Sequence, residues 1–140
     1  MIDSGPALTK DNEGYVEHVY PDKYNNPTGG FGHAFLPKSK LPREIWESIF
    51  QYDYGLALND YERFGLDLDD VRKSVVVDIL FARGLGNCMK PESKGFFDAL
   101  RVKDFEKAGA ELELWPWYGR VGRRGPRLKK MIQQGSWGSI

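Results

Sequence analysis

Glu13 stands beside Gly14. Asp22 follows nine positions on, Thr28 six further, and the segment EGYVEHVYPDKYNNPTGGFGH closes on His33. Two carboxyl groups across the scissile bond are what glycoside hydrolysis usually needs. One carboxyl protonates the leaving oxygen, and the other stabilises or generates the nucleophile. Glu13 and Asp22 can supply that pair, and the Thr28 hydroxyl can help Asp22 hold a water. Spacing alone carries little weight, because the chain has 20 acidic residues and most acids are simply solvated.

The elements that must position these groups follow from local chemistry. Residues 4–13 read as a short helix, capped by Ser4, with Pro6 in the first turn and Gly14 at the end. Glu13 then lies at a helix C-terminus. The dipole there disfavours an anion, which suits a group that must hold a proton before giving it up. Residues 15–36 are β-like. Tyr15, Val16, Val19 and Tyr20 favour a strand, and PDKYNNPTGG is turn-rich. Gly29, Gly30 and Gly32 make the return strand permissive and let something approach its backbone. A small antiparallel sheet is expected, with Asp22 in a turn and Thr28 on the return arm. Two carboxyl groups in such different settings can divide into acid and base.

Downstream, the pattern turns helical. Residues 42–65 form one long helix, or two with a bend near Gly55. The periodic Ile45, Trp46, Ile49, Phe50, Leu56, Leu58, Tyr61 and Phe64 are expected to pack in the core. Residues 67–84 make an apolar helix capped by Asp67 or Asp69. Residues 96–102 and 104–114 make two more, and a last one runs from Leu128 to Gln134 after Pro126. Strands in front and helices behind predict an α+β fold.

The length of 140 residues fits one domain, and the apolar content of 41% is enough to build a core, so disorder is not expected. Twenty basic residues balance twenty acidic ones, which does not suggest a dedicated nucleic-acid binder. With one cysteine, Cys88, and two histidines, His18 and His33, neither a disulfide nor a thiolate metal site is expected. No metal or cofactor is called for, and Cys88 reads as a structural thiol. The N-terminus lacks a basic region and an apolar stretch, and no long apolar run occurs. A chain made in the cytoplasm, without a signal peptide or membrane insertion, is therefore expected.

The full pattern E-G-Y-x4-Y-x-D-x5-T-x-G-x-G-H resembles the phage-type lysozymes, the family of the T-even phage lysozyme. Glu13, Asp22 and Thr28 fall on that family's catalytic triad, and Tyr20, Gly30, Gly32 and His33 match its surroundings. DDVRKSVVVDILFARGLGN is similar to the family's central helix. The closing segment, with Trp117, Tyr118, Arg124 and Gly135-Ser136-Trp137, is similar to its C-terminal part, so the likeness covers nearly the whole chain.

The resemblance implies a single lysozyme-like domain over residues 1–140. A β lobe (about 14–40) and a helical lobe (about 66–140, joined by the N-terminal helix) would flank a cleft, linked by a helix over about 42–65. The implied reaction is hydrolysis of the β-1,4 bond between N-acetylmuramic acid and N-acetylglucosamine in peptidoglycan, by a monomer. Glu13 would be the general acid, with Asp22 and Thr28 holding the water. Inversion would then place the carboxyl groups roughly 6.5–9.5 Å apart. A chain of this kind acts on the wall after holin-dependent release or as a virion component. Ala82 follows Phe81 where the family often has Asn or Gln. LGNCMKPESKG is extra, and the helix before the interlobe segment is short or missing.

Several residues around the triad have implied roles in substrate binding. Tyr24 on the hairpin is a candidate for lining the sugar groove, and Gly30 for letting a sugar approach. His33 is expected to anchor the hairpin by hydrogen bonds, and His18 to lie on an exposed strand face. Arg124 corresponds to the family's arginine near the catalytic glutamate. It lies in RVGRRGPRLKK, which has six basic residues and no acid and is suited to attract wall carboxylates. Trp115, Trp117 and Trp137 are expected in the core. The competing readings are a lytic transglycosylase, which needs no water, and a catalytically silent wall-binding module.

Overall fold

The computed structural model describes residues 2–138. Its backbone divides into two compact units, Met1–Arg43 and Glu44–Ile140. Helices predominate, with one three-stranded antiparallel sheet, so the chain is α+β.

The first unit opens with α1 (Gly5–Glu13). Ser4 caps it, its hydroxyl accepting from the Ala7 N–H at 3.3 Å. Gly14, at φ +72°, ends it in a backbone region that favours glycine. Then come β1 (Val16–Pro21), β2 (Pro27–Gly30) and β3 (His33–Ala34), paired in that order. Tyr20 lies opposite Thr28, and Thr28 opposite Ala34. An irregularity between Val16 and Tyr20 shifts the β1–β2 register. The sequence reading grouped α1 with the helical part, whereas here it clusters with the sheet.

The second unit holds nearly all of α2 (Arg43–Glu62), a single helix with no break at Gly55. It continues with α3 (Asp70–Arg83), α4 (Leu85–Cys88), a 3₁₀ turn (Pro91–Ser93), α5 (Lys94–Arg101), α6 (Phe105–Glu113), α7 (Pro116–Arg120) and α8 (Arg124–Gln134). Asp69 caps α3, its carboxylate accepting from the Arg72 N–H, and Gly84 and Gly135 end α3 and α8. Val76, Ile79, Phe96, Leu112 and Ile132 are fully enclosed and anchor the core. Each contributes roughly 1.5–3 kcal/mol through removal from water. Cys88 is buried among them, and burial pushes its thiol up to about 11, so almost none is thiolate at neutral pH.

Three expectations need correction. The last helix starts at Arg124, four residues before Leu128. Pro126 does not delay it, because the first turn of a helix has no use for the N–H that proline lacks. The apolar residues of α2 expected in the core divide: Tyr61 is buried, but Ile45, Trp46, Ile49, Phe50 and Leu56 stay exposed. Helical periodicity marks an apolar face without saying what covers it. Of the three C-terminal tryptophans, Trp115 is in the core, Trp117 packs partly against it, and Trp137 is exposed.

Candidate active site

Six of the seven sequence-predicted site residues lie in the first unit. Glu13 ends α1 and is exposed. Its carboxylate lies against the Cα of Gly32: a β-carbon built there would meet Glu13 Oε2 at 2.6 Å. Gly32 also has φ +82°, so it is fixed by backbone shape and by the acid above it.

Asp22 begins the β1–β2 turn. Its Oδ1 accepts from the N–H of Tyr24 at 2.8 Å and of Asn26 at 2.9 Å. These bonds shape the turn, with Asn25 in the left-handed region at φ +65°. Oδ2 accepts no hydrogen bond among the described residues, so one carboxylate oxygen is left for another partner. Thr28 is buried, and its hydroxyl donates to the Asn26 carbonyl at 2.9 Å. The Asp22 N–H donates to that same carbonyl at 2.9 Å. Asn26 thus ties the two residues together. The pairing Tyr20↔Thr28 extends through this bond, making Asp22 and Thr28 diagonal neighbours on one sheet face. Such neighbours have Cβ atoms roughly 7–8 Å apart or a little less, close enough for a water between the side chains.

The chemistry follows from the donor count. The Thr28 proton is committed to Asn26, so its oxygen has only lone pairs left to offer. Asp22 Oδ2 also presents only lone pairs when ionised. A water between two acceptors donates both of its protons and directs a lone pair away from them.

The register also relates this pair to Glu13. Gly32, which carries the Glu13 carboxylate, is two residues before Ala34, the partner of Thr28. Gly32, in the turn before β3, thus brings the Glu13 carboxylate to the edge of the sheet that holds Asp22 and Thr28.

Tyr24 is exposed at the tip of the β1–β2 turn, with the Lys23 ammonium 5.1 Å from its ring centre. Gly30 has φ +61° and open space where a side chain would be. His33 is exposed and meets Phe35 edge-on at 4.7 Å. His18 is exposed on β1.

Arg124 belongs to the second unit. Its Nε donates to Asp78 Oδ2 at 3.0 Å, and its Nη2 lies 2.9 Å from Oδ1, a two-pronged pairing that fixes the guanidinium on α3. Sequence reasoning missed Asp78. The available signal was an acid inside the apolar run VVVDILFA. The pair borders a cavity of about 500 Å³ that Tyr54, Ser74 and Trp137 also line.

Among the described residues no helix is long and apolar enough to cross a membrane, and no cluster of His, Cys, Asp and Glu is arranged to hold a metal. No family model matches the chain, and no curated protein matches it significantly.

Proposed function

We propose that the chain is an inverting endo-muramidase of lysozyme-like fold that hydrolyses the β-1,4 bond following N-acetylmuramic acid in peptidoglycan. Glu13 gives its proton to the glycosidic oxygen as the bond to the anomeric carbon breaks. A water held by Asp22 and Thr28 attacks that carbon from the opposite face and loses its proton to Asp22. Tyr24, Gly30 and His33 contribute to the sugar groove. The observation that carries this reading is the shared Asn26 carbonyl. It ties Asp22 and Thr28 together as a pair of acceptors, in the same compact unit as Glu13.

The test is product analysis on purified peptidoglycan. Reducing muropeptides gaining one water per cut, released first as the α-anomer, are expected. Anhydro-muramic ends would show a lytic transglycosylase instead. Binding without fragments would show a silent wall-binding module.

Gly32→Ala offers a second check. The new methyl group would fall 2.6 Å from Glu13 Oε2 and would sit at φ +82°. Displacing the acid by about 1 Å is expected to reduce turnover on the order of 100-fold. The backbone strain should cost only about 1–2 kcal/mol. Turnover measured beside a thermal melt separates the two effects. An unchanged rate would mean that the carboxylate's seat on Gly32 is irrelevant.

A further inference from the structure

Two exposed aromatic side chains border the acid and have no role in the mechanism above. Tyr15 is 65% exposed and Phe31 47% exposed, although each is a large ring with much to gain from burial. Their ring centres are 5.1 Å apart and their planes meet at 45°, so together they form an angled shelf. Both are tied to Glu13 through glycine. Tyr15 follows Glu13 across Gly14, and Phe31 precedes Gly32, the residue under the Glu13 carboxylate.

The surroundings of this shelf are open. A β-carbon built on Gly14 or on Gly30 would meet nothing within 4 Å. The Lys10 ammonium lies 5.1 Å from the centre of the Phe31 ring, adding positive charge at the margin of the shelf. Tyr24 is placed differently. It lies past the Pro21–Pro27 pair, at the end of the hairpin away from Gly32.

We propose that Tyr15 and Phe31 form a stacking subsite for one N-acetylhexosamine ring of the glycan, next to Glu13. The C–H face of a pyranose is apolar and weakly positive, so it complements the negative face of an aromatic ring. Flat rings select a sugar face that a branched side chain of equal bulk does not. The subsite orders the chain beside the acid and acts on binding, with no part in proton transfer. This assignment rests on the glycosidase reading above.

The informative substitutions are Tyr15→Leu and Phe31→Leu, which keep apolar bulk and remove the flat face, with Tyr15→Phe as the conservative control. Binding of chitotetraose is measured in wild type and variants by calorimetry, and KM and kcat on soluble peptidoglycan fragments in parallel. Each leucine variant is expected to weaken binding and raise KM about tenfold, leaving kcat and the melting temperature nearly unchanged. Tyr15→Phe should bind as wild type does. Leucine variants that bind like wild type would overturn the proposal, as would a Tyr15→Phe variant as weak as Tyr15→Leu. A fall in kcat alone would also overturn it, because that marks a structural effect on the acid. Failure of the parent reading looks different: wild type would then release no fragments from peptidoglycan, whatever the chitotetraose result.

Discussion

Glu13→Gln is expected to abolish wall hydrolysis, with turnover falling 10²–10⁴-fold, the usual contribution of a general acid. Glutamine keeps the length and shape of the side chain and loses only the acidic proton. Glu13 is exposed and bonded to no other side chain among the described residues, so its replacement should hardly move the melting temperature. The seat on Gly32 is also preserved, because an amide fills the same space as a carboxylate. A substrate whose leaving group needs no proton, such as a nitrophenyl glycoside, distinguishes the role further. Its cleavage should suffer far less than that of peptidoglycan. Equal loss on both substrates would mean that Glu13 positions rather than protonates. A fully active variant would end the glycosidase assignment at this residue.

Arg72→Ala is expected to give the largest loss of stability. The guanidinium joins three helices of the second unit. Nε donates to the Ile132 carbonyl at 2.6 Å and Nη2 to the Gln133 carbonyl at 3.2 Å, satisfying acceptors at the end of α8 that the helix cannot satisfy itself. Nη1 donates to Asp69, the cap of α3, and the group lies 3.6 Å from the centre of the Phe105 ring on α6. The side chain is 15% exposed, so little solvent screens these contacts. Removing them is expected to cost on the order of 2–4 kcal/mol. For a chain of this length the melting temperature should drop by about 10 °C. Arg72→Lys should recover only part, since one ammonium cannot reach three acceptors in a plane. A variant that melts within a degree or two of wild type would show that the junction is redundant.

The same contact carries a pH dependence. Burial works against the charged form of Asp69, but the side-chain and backbone hydrogen bonds from Arg72 outweigh it and hold the carboxyl below its usual range. Its folded pKa is thus lower than its unfolded one. The stability it supplies is complete above the unfolded value of about 3.9 and is lost as pH falls through the lower folded value. The gap between wild type and Arg72→Ala should therefore narrow on acidification below pH 4.

Local chemistry made some features legible and left others hidden. Ser4, Asp69, Gly84 and Gly135 mark helix ends by mechanisms that need only neighbours in the chain, and all four were readable. The β-hairpin was readable for the same reason. Pro126 misled, because a proline breaks a helix interior but suits a first turn. The short α4 and α7 look like loops in sequence, since a one-turn helix has no period to detect. Asp78 and Arg124 are 46 positions apart, and nothing local to either announces the other. The stripe on α2 was readable as a stripe, but burial is a tertiary fact. In the candidate site, residue types were legible. The Asn26 carbonyl that joins Asp22 to Thr28, and the seat of Glu13 on Gly32, are backbone features that no pattern of side chains encodes.

The uneven burial has a consequence for how this molecule fails. Among the described residues of the first unit, Thr28 and Gly29 alone are buried, whereas the enclosed apolar side chains described all belong to the second. The proposed chemistry and the resistance to heat therefore reside in different cooperative blocks. On warming, the hairpin is expected to open locally while the helices hold, as low-stability segments do in native-state hydrogen exchange. Catalysis would then fade at temperatures where circular dichroism still reports a folded helical protein. Cooling would restore the proposed activity without any need to refold the core, so partial melting would silence the molecule long before it is destroyed.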